Sequence, residues 1–246
     1  MLRRQHPSAW ANAVFVDLGC GERPWTTVES AARFREVWPG LPVVGVEIHP
    51  GRVAAAQAWS DGTRTRFVEG GFELGAVGHR VRLLRAMNVL RQYRPEDVAK
   101  AHAQMGARLV EGGLLVEGTC DKHGQTLAAH LMRQRGGVLR RESLLMTTDF
   151  SRGFAPLLFR DVLPRDLRRR VVPGEPIHAL FEAWTAAWQE VRSGLGPRQA
   201  FVRSLQVLAC RVPGVATDPW LLTRGYARWS PPGGVPQPYG RVATLG

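Results

Sequence analysis

Lysine is almost absent from this sequence: of 33 basic residues 31 are arginine, and only Lys100 and Lys122 are lysines. Cysteine is as scarce. Cys20, Cys120 and Cys210 are too widely spaced for a local metal knuckle and form no disulfide framework, so each reads as a small apolar filler. The seven histidines are scattered, with no His-Glu-x-x-His and no Cys/His cluster, and no metal site is expected. No stretch approaches the roughly 20 apolar residues needed to cross a bilayer. The start, Met1-Leu-Arg-Arg-Gln, returns to polar residues without the apolar run of a secretory signal. These absences give the expectation of a cytoplasmic protein with no membrane partner.

What is present fits a globular domain. The 246 residues are 44% hydrophobic and 22% charged, enough for one large core or a medium domain with an appendage. The formal charge is +12, and half of that excess lies in residues 131–170, which hold ten arginines against four acids. Such a region is either a solvated face or a phosphate-facing patch, so RNA enters as a candidate partner.

The first 120 residues alternate between short apolar runs and helical patterns. Val14–Leu18, Val43–Glu47, Arg66–Glu69, Val81–Ala86 and Leu114–Glu117 read as five buried strands. Between them, Thr26 and Glu29 have capping-box spacing before a helix, Pro50 opens a second, and Pro95-Glu96 starts a third running to Leu109. Glu111-Gly-Gly113 reads as a turn. Connections of this length carry crossover helices and so imply a parallel sheet covered on both faces. Ligands of such sheets bind beyond the carboxyl ends of the strands. Farther along, Gln125–Arg135 fits a helix, Leu139–Phe150 a strand and Leu157–Phe159 a short strand. Ile177, Leu180, Phe181, Trp184 and Trp188 form one stripe of a helix over Ile177–Arg192, and Phe201–Cys210 gives a second. The tail after Trp229 reads as extended. The division expected is a core over 1–165 and, over 166–246, a helical addition with an extended tail, packed on that core.

The first strand ends in Asp17-Leu-Gly-Cys-Gly21. Gly19 and Gly21 permit a sharp turn and close approach of a ligand to main chain. This is not the dinucleotide Gly-x-Gly-x-x-Gly turn, since neither glycine nor alanine stands at its third position, and no phosphate-binding P-loop is present. Val14-Phe-Val-Asp-Leu-Gly-Cys-Gly21 instead resembles the first motif of class I S-adenosylmethionine-dependent methyltransferases, and Gly45-Val46-Glu47 resembles the acidic end of their second strand. The resemblance covers about residues 12–150. It implies a Rossmann-like, doubly wound, mostly parallel α/β sheet with C-terminal helical additions. It further implies that S-adenosylmethionine lies against Asp17, Gly19, Cys20, Gly21, Glu47, Ile48, Gly71, Phe72, Met87 and Asn88. Glu47 takes the ribose hydroxyls in this scheme, as an acceptor-only carboxylate can.

The sequence departs from that family at the third strand, where the usual Gly-Asp pair is Gly70-Gly71-Phe72. Glu69, Glu73 or a backbone carbonyl is left to meet the adenine amino group, and Phe72 to flank the ring. In the family that the motifs resemble, the loop after the fourth strand lies near the departing methyl group; Asn88 holds that place here, with both donor and acceptor capacity. Glu117, Asp121 and His123, in Glu117-Gly-Thr-Cys-Asp-Lys-His-Gly124, are candidates to shape the acceptor pocket or take its proton. A catalytic Cys120 is disfavoured, because the cysteine-dependent cytosine methyltransferases place theirs after the fourth strand, where this chain has Met87-Asn88. The expected activity is methyl transfer to a small molecule. RNA or protein acceptors, and a nonenzymatic binding protein, are the alternatives.

Overall fold

The computed structural model describes residues 13–232, apart from 76 and 79. Four of the expected strands form its parallel part: β1 (Val14–Leu18), β2 (Val43–Glu47), β3 (Thr65–Glu69) and β4 (Val81–Met87). β1 pairs in parallel with β2 and with β4, and β2 pairs in parallel with β3. Every residue of β2 is buried, which is why its run up to Val46 is apolar rather than alternating. Within it Gly45 is a packing necessity, since the Phe67 ring occupies the space a Cβ would need.

Crossover helices α1 (Trp25–Arg35) and α2 (Pro50–Ala56) follow β1 and β2, and α3 (Val98–Gly106) follows β4. The entry to β3 is built by Asp61. Its Oδ1 accepts from the backbone N–H groups of Thr63, Arg64 and Thr65, and its Oδ2 from the Thr65 hydroxyl. α1 begins one residue before Thr26, with Pro24 at its N-cap and no side-chain cap. Thr26 is therefore inside the helix, and the hydroxyl that finds a structural role is that of Thr27, as shown below.

The remaining strands are β5 (Leu109–Cys120), β6 (Thr126–Arg135), β7 (Val138–Thr148) and β8 (Tyr226–Trp229). The hydrogen-bonded order of the eight is β3-β2-β1-β4-β5-β6-β7-β8. Residues 121–125 and 136–137 are too few for a crossover, so β5, β6 and β7 run as antiparallel neighbours. β8 is antiparallel to β7. The expected α/β sheet is thus present, with a meander on one side of the parallel strands.

Several local readings change. The stretch expected as a helix over Gln125–Arg135 is β6, buried along nearly its whole length between β5 and β7. Its Ala, Leu and Met content favours a helix locally, but pairing on both edges overrides propensity. Glu111-Gly-Gly113 is not a turn but part of β5. Gly112 has φ +70°, and Gly113 leaves room for the carbonyl oxygens of Val110 and Val81, 2.8 and 3.2 Å from where a Cβ would lie. Leu157–Phe159 belongs to a 3₁₀ stretch, Pro156–Val162, not to a strand. The tail expected to be extended lies, from residue 233 on, outside the described residues.

The chain divides into two compact units. Unit 1 holds residues up to Val89 with Lys100–Val116 and Met132–Arg140; unit 2 holds Leu90–Ala99, Glu117–Leu131 and the residues from Arg141 onward. In unit 2, the helix pair expected near 177–210 is α4 (Pro176–Val191) and α5 (Pro197–Arg211). Ile177, Leu180, Phe181 and Trp184 of the apolar stripe are buried, each contributing about 1.5–3 kcal/mol by burial. Trp184 stacks on Phe159 with ring centroids 5.5 Å apart, and its indole N–H donates to Ser204 Oγ at 3.0 Å. Also buried here, Asp166 accepts from His130 Nε2 at 2.9 Å and from Arg141 Nη2 at 2.7 Å, tying β6 and β7 to the segment after Val162. A buried charge held this way has its desolvation offset by two partners.

Candidate functional site

The parallel register places the carboxyl ends of β1–β4 along one edge of unit 1, and the Gly-rich turn lies there. Gly19 and Gly21 have φ +76° and +73°, in the left-handed region where a Cβ is strained. The turn is fastened to β2, since both Gly19 N–H and Cys20 N–H donate to the Val46 carbonyl, at 2.7 and 3.2 Å. The two glycines differ in surroundings. A Cβ on Gly19 would meet Val89 Cγ2 at 2.7 Å, whereas one on Gly21 would meet nothing within 4 Å. The space beside Gly19 is therefore filled by the loop after β4, and the open approach to main chain is at Gly21.

Glu47 ends β2 and is buried, only 5% exposed. Its Oε2 accepts from Gly21 N–H at 3.2 Å and its Oε1 from His49 N–H at 3.1 Å, with Arg52 Nη1 at 3.9 Å. Each oxygen uses one lone-pair direction on the backbone and retains another. Ile48, the next residue, is 70% exposed, an apolar side chain presented beside the acid.

Asp17 is buried under the turn, with both oxygens engaged. Oδ1 accepts from Arg85 Nη1 at 2.7 Å and Oδ2 from Thr27 Oγ1 at 2.6 Å. Its position supports the turn rather than presenting a carboxylate at the surface. Between the two acids, burial pushes the Cys20 thiol up to about 12, with Asp17 and Glu47 adding to the shift by repelling a thiolate. Cys20 is thus a neutral thiol at physiological pH.

The loop after β3 joins the same edge: Gly70 N–H donates to the Glu47 carbonyl at 3.1 Å. Gly71 N–H is taken by Glu73 Oε1 at 2.9 Å, and this bond holds the Glu73 carboxyl below its ordinary range. Glu73 is thereby folded back onto its own loop, and Phe72 is half-buried beside it. After β4, Met87 is buried and Asn88 is exposed with φ +63°, a conformation asparagine tolerates better than most residues.

The structure therefore gathers Asp17, Gly19, Cys20, Gly21 and Glu47 around one turn, with Val89 carrying the Met87-Asn88 loop onto Gly19. Glu117 and His123 belong to unit 2. Glu117 is buried in β5 and His123 is exposed in the β5–β6 connection. That connection is organised by Asp121, whose Oδ1 accepts from the N–H groups of His123 and Gln125. It caps the β5–β6 hairpin.

Sequence reasoning missed Thr27, Arg85 and Val89. Nothing local marks them; the register that sets Asp17 beside Arg85 is the signal that finds the ion pair. Of the ten arginines in 131–170, several have internal partners. Arg141 binds Asp166, Arg170 binds Glu175, and Arg133 and Arg165 donate to the carbonyls of Gly112 and Tyr93. Among the described residues there is no cluster that could hold a metal ion and no helix long and apolar enough to cross a membrane.

No protein-family profile matches the chain, and no curated protein sequence does. Solved structures share part of its fold. LepI in complex with SAM is 18% identical with a TM-score of 0.39, over 49% of this chain and 31% of that one. The mitomycin 7-O-methyltransferase MmcR is 17% identical with a TM-score of 0.37, over 48% of this chain and 34% of that one. A TehB-like SAM-dependent methyltransferase from Corynebacterium glutamicum is 22% identical with a TM-score of 0.35, over 46% of this chain and 58% of that one. The chain spans less than two thirds of each of these proteins, and the likeness is partial in both directions.

Proposed function

We propose that unit 1 binds S-adenosylmethionine at the carboxyl ends of β1, β2 and β4, and that the protein transfers its methyl group to a small-molecule acceptor. The observation that carries this reading is the bond between the buried Glu47 carboxylate and Gly21 N–H, at 3.2 Å. It makes the strand-end acid and the open glycine of the turn a single preformed unit. The residues fit the cofactor. Glu47 keeps acceptor capacity for a diol, Ile48 offers an apolar surface beside it for a base, and Gly21 has no neighbour where a ligand chain must pass. Gly71 and Phe72 extend the same wall.

When bound, the cofactor supplies a sulfonium methyl group whose leaving group is already activated. The work left to the protein is to orient the acceptor and exclude water. Asn88, exposed on the loop after β4, has the donor and acceptor groups to orient an acceptor lone pair. Cys20 lies next to the glycines but is held as a neutral thiol, so the nucleophilic thiolate that would intercept the methyl group is suppressed.

Calorimetry on the whole chain with S-adenosylmethionine, S-adenosylhomocysteine and NAD tests the cofactor class before any acceptor is identified. Both sulfur ligands are expected to bind and NAD is not. Glu47→Ala, verified as folded by circular dichroism, is expected to weaken S-adenosylhomocysteine by about tenfold to over a hundredfold, the worth of charge-assisted hydrogen bonds. Tight NAD binding, or unchanged affinity in the folded variant, overturns the assignment. A screen of small-molecule acceptors with labelled methyl donor then separates an enzyme from a binding protein.

A further inference from the structure

Unit 2 contains a cleft of about 420 Å³ at the turn between α4 and α5. Its lining includes Phe154, Trp188, Gln189, Arg192, Ser193 and Leu195, and the first turn of α5 closes one side with Pro197 and Ala200. We propose that this cleft is a second small-molecule site, selective for a planar aromatic carboxylate.

The apolar part of the cleft is rigid. Phe154 is packed edge-on against Trp188 and Phe201, at 6.4 and 5.0 Å between centroids, and is anchored through Phe201 and Trp184 to the core of unit 2. A ligand ring entering here meets aromatic walls fixed from behind, which reduces the ordering cost of binding.

The polar part is arranged for an anion. The Arg192 guanidinium lies over the Trp188 ring, 4.7 Å from its centroid, so its planar fork is held in place. The acids of the same helix are committed elsewhere: Glu182 to His178 and Glu190 to Arg211. Among the described residues no carboxylate pairs with Arg192. A carboxylate has the geometry to take two of its N–H groups at once. Gln189 and Ser193 line the cleft with it. The negative end of α4, where Arg192 is the C-cap, and the positive end of α5 meet here and offset each other, so the attraction for an anion rests on Arg192 itself. A neutral aromatic ligand would use only the walls; an aromatic carboxylate would use both halves of the cleft.

This proposal does not depend on the cofactor reading, because every residue it uses lies in unit 2. The test is titration of the full chain with 1-naphthoate, followed by calorimetry and ligand-observed NMR, with 1-naphthalenemethanol as the neutral control. Naphthoate is expected to bind saturably and more tightly than the alcohol. Arg192→Gln is expected to lower naphthoate affinity about tenfold while leaving the alcohol unchanged. Trp188→Leu should weaken both ligands. Arg168→Gln removes an exposed arginine elsewhere and should change neither, which controls for attraction to a basic protein. Absence of saturable naphthoate binding below about 5 mM, equal affinity in Arg192→Gln, or an equal loss in Arg168→Gln overturns the proposal. S-adenosylhomocysteine should not displace naphthoate; competitive displacement would assign the binding to the other site.

Discussion

Asp17 and Arg85 stand side by side in register on β1 and β4, and Arg85 Nη1 lies 2.7 Å from Asp17 Oδ1. Asp17 is 1% exposed, so the charge beneath the Gly-rich turn is neutralised by a residue 68 positions away in sequence and by the Thr27 hydroxyl. The same acid that the motif assigns to a ligand is a structural tie between the first strand, the first helix and the fourth strand.

Removing only one member of this pair should be costly. Arg85→Met leaves a buried carboxylate with Thr27 alone and is expected to destabilise by about 3 kcal/mol, the low end for breaking a buried pair because Arg85 is partly exposed. Adding Asp17→Asn should recover at least half of the loss. Urea unfolding of the two single variants and the double variant measures the coupling; strictly additive losses would show that the pair is not the operative unit.

Gly19 and Gly21 should respond differently to alanine. Both incur the strain of positive φ, about 1–2 kcal/mol. Gly19→Ala also drives its Cβ onto Val89 and should lose a further 1–3 kcal/mol, approximately, by overpacking. Val89→Ala in the same chain should relieve the second part only. Gly21→Ala should be the milder change in thermal unfolding but should weaken S-adenosylhomocysteine binding. A Gly19→Ala defect that Val89→Ala leaves untouched would rule out the clash.

Cys20 should resist alkylation. With its thiol pushed up to about 12, roughly one molecule in ten thousand carries the thiolate at pH 8. Cys210 is exposed. Peptide mapping after iodoacetamide treatment at this pH should find Cys210 modified and Cys20 intact until the protein is unfolded. Early labelling of Cys20 would contradict the raised thiol pKa.

Asp61 gives an acid-dependent prediction. The Thr65 N–H, followed by those of Arg64 and Thr63 and by the Thr65 hydroxyl, holds its carboxyl well below the usual range. A depressed folded pKa contributes stability that is present above the unfolded value, near 3.9, and is lost as pH falls toward the folded one. Asp61→Ala should therefore melt below wild type at neutral pH, with the gap narrowing below about pH 4 as the wild-type carboxyl takes up a proton. Calorimetric melts across that range check it; a gap independent of pH would remove the charge from the explanation.

The parallel strands and the Gly-rich turn after β1 are legible in residue pattern alone. Val14–Val16 and Val43–Val46 are apolar because both faces are covered, and the two glycines after β1 adopt the positive φ that their residue type permits. The stripe Ile177, Leu180, Phe181, Trp184 likewise forms a buried helix face, because helical period and burial agree. The other features depend on long-range pairing. Thr126–Arg135 has the composition of a helix and becomes β6, since hydrogen-bonding partners on both edges outweigh a propensity of tenths of a kcal/mol per residue. Asp17 meets Arg85, and Val89 fills the space beside Gly19, only because parallel pairing brings distant strand ends together. Local pattern reports which face of an element is buried; which distant side chain buries it is set by register, and register is a property of the folded sheet.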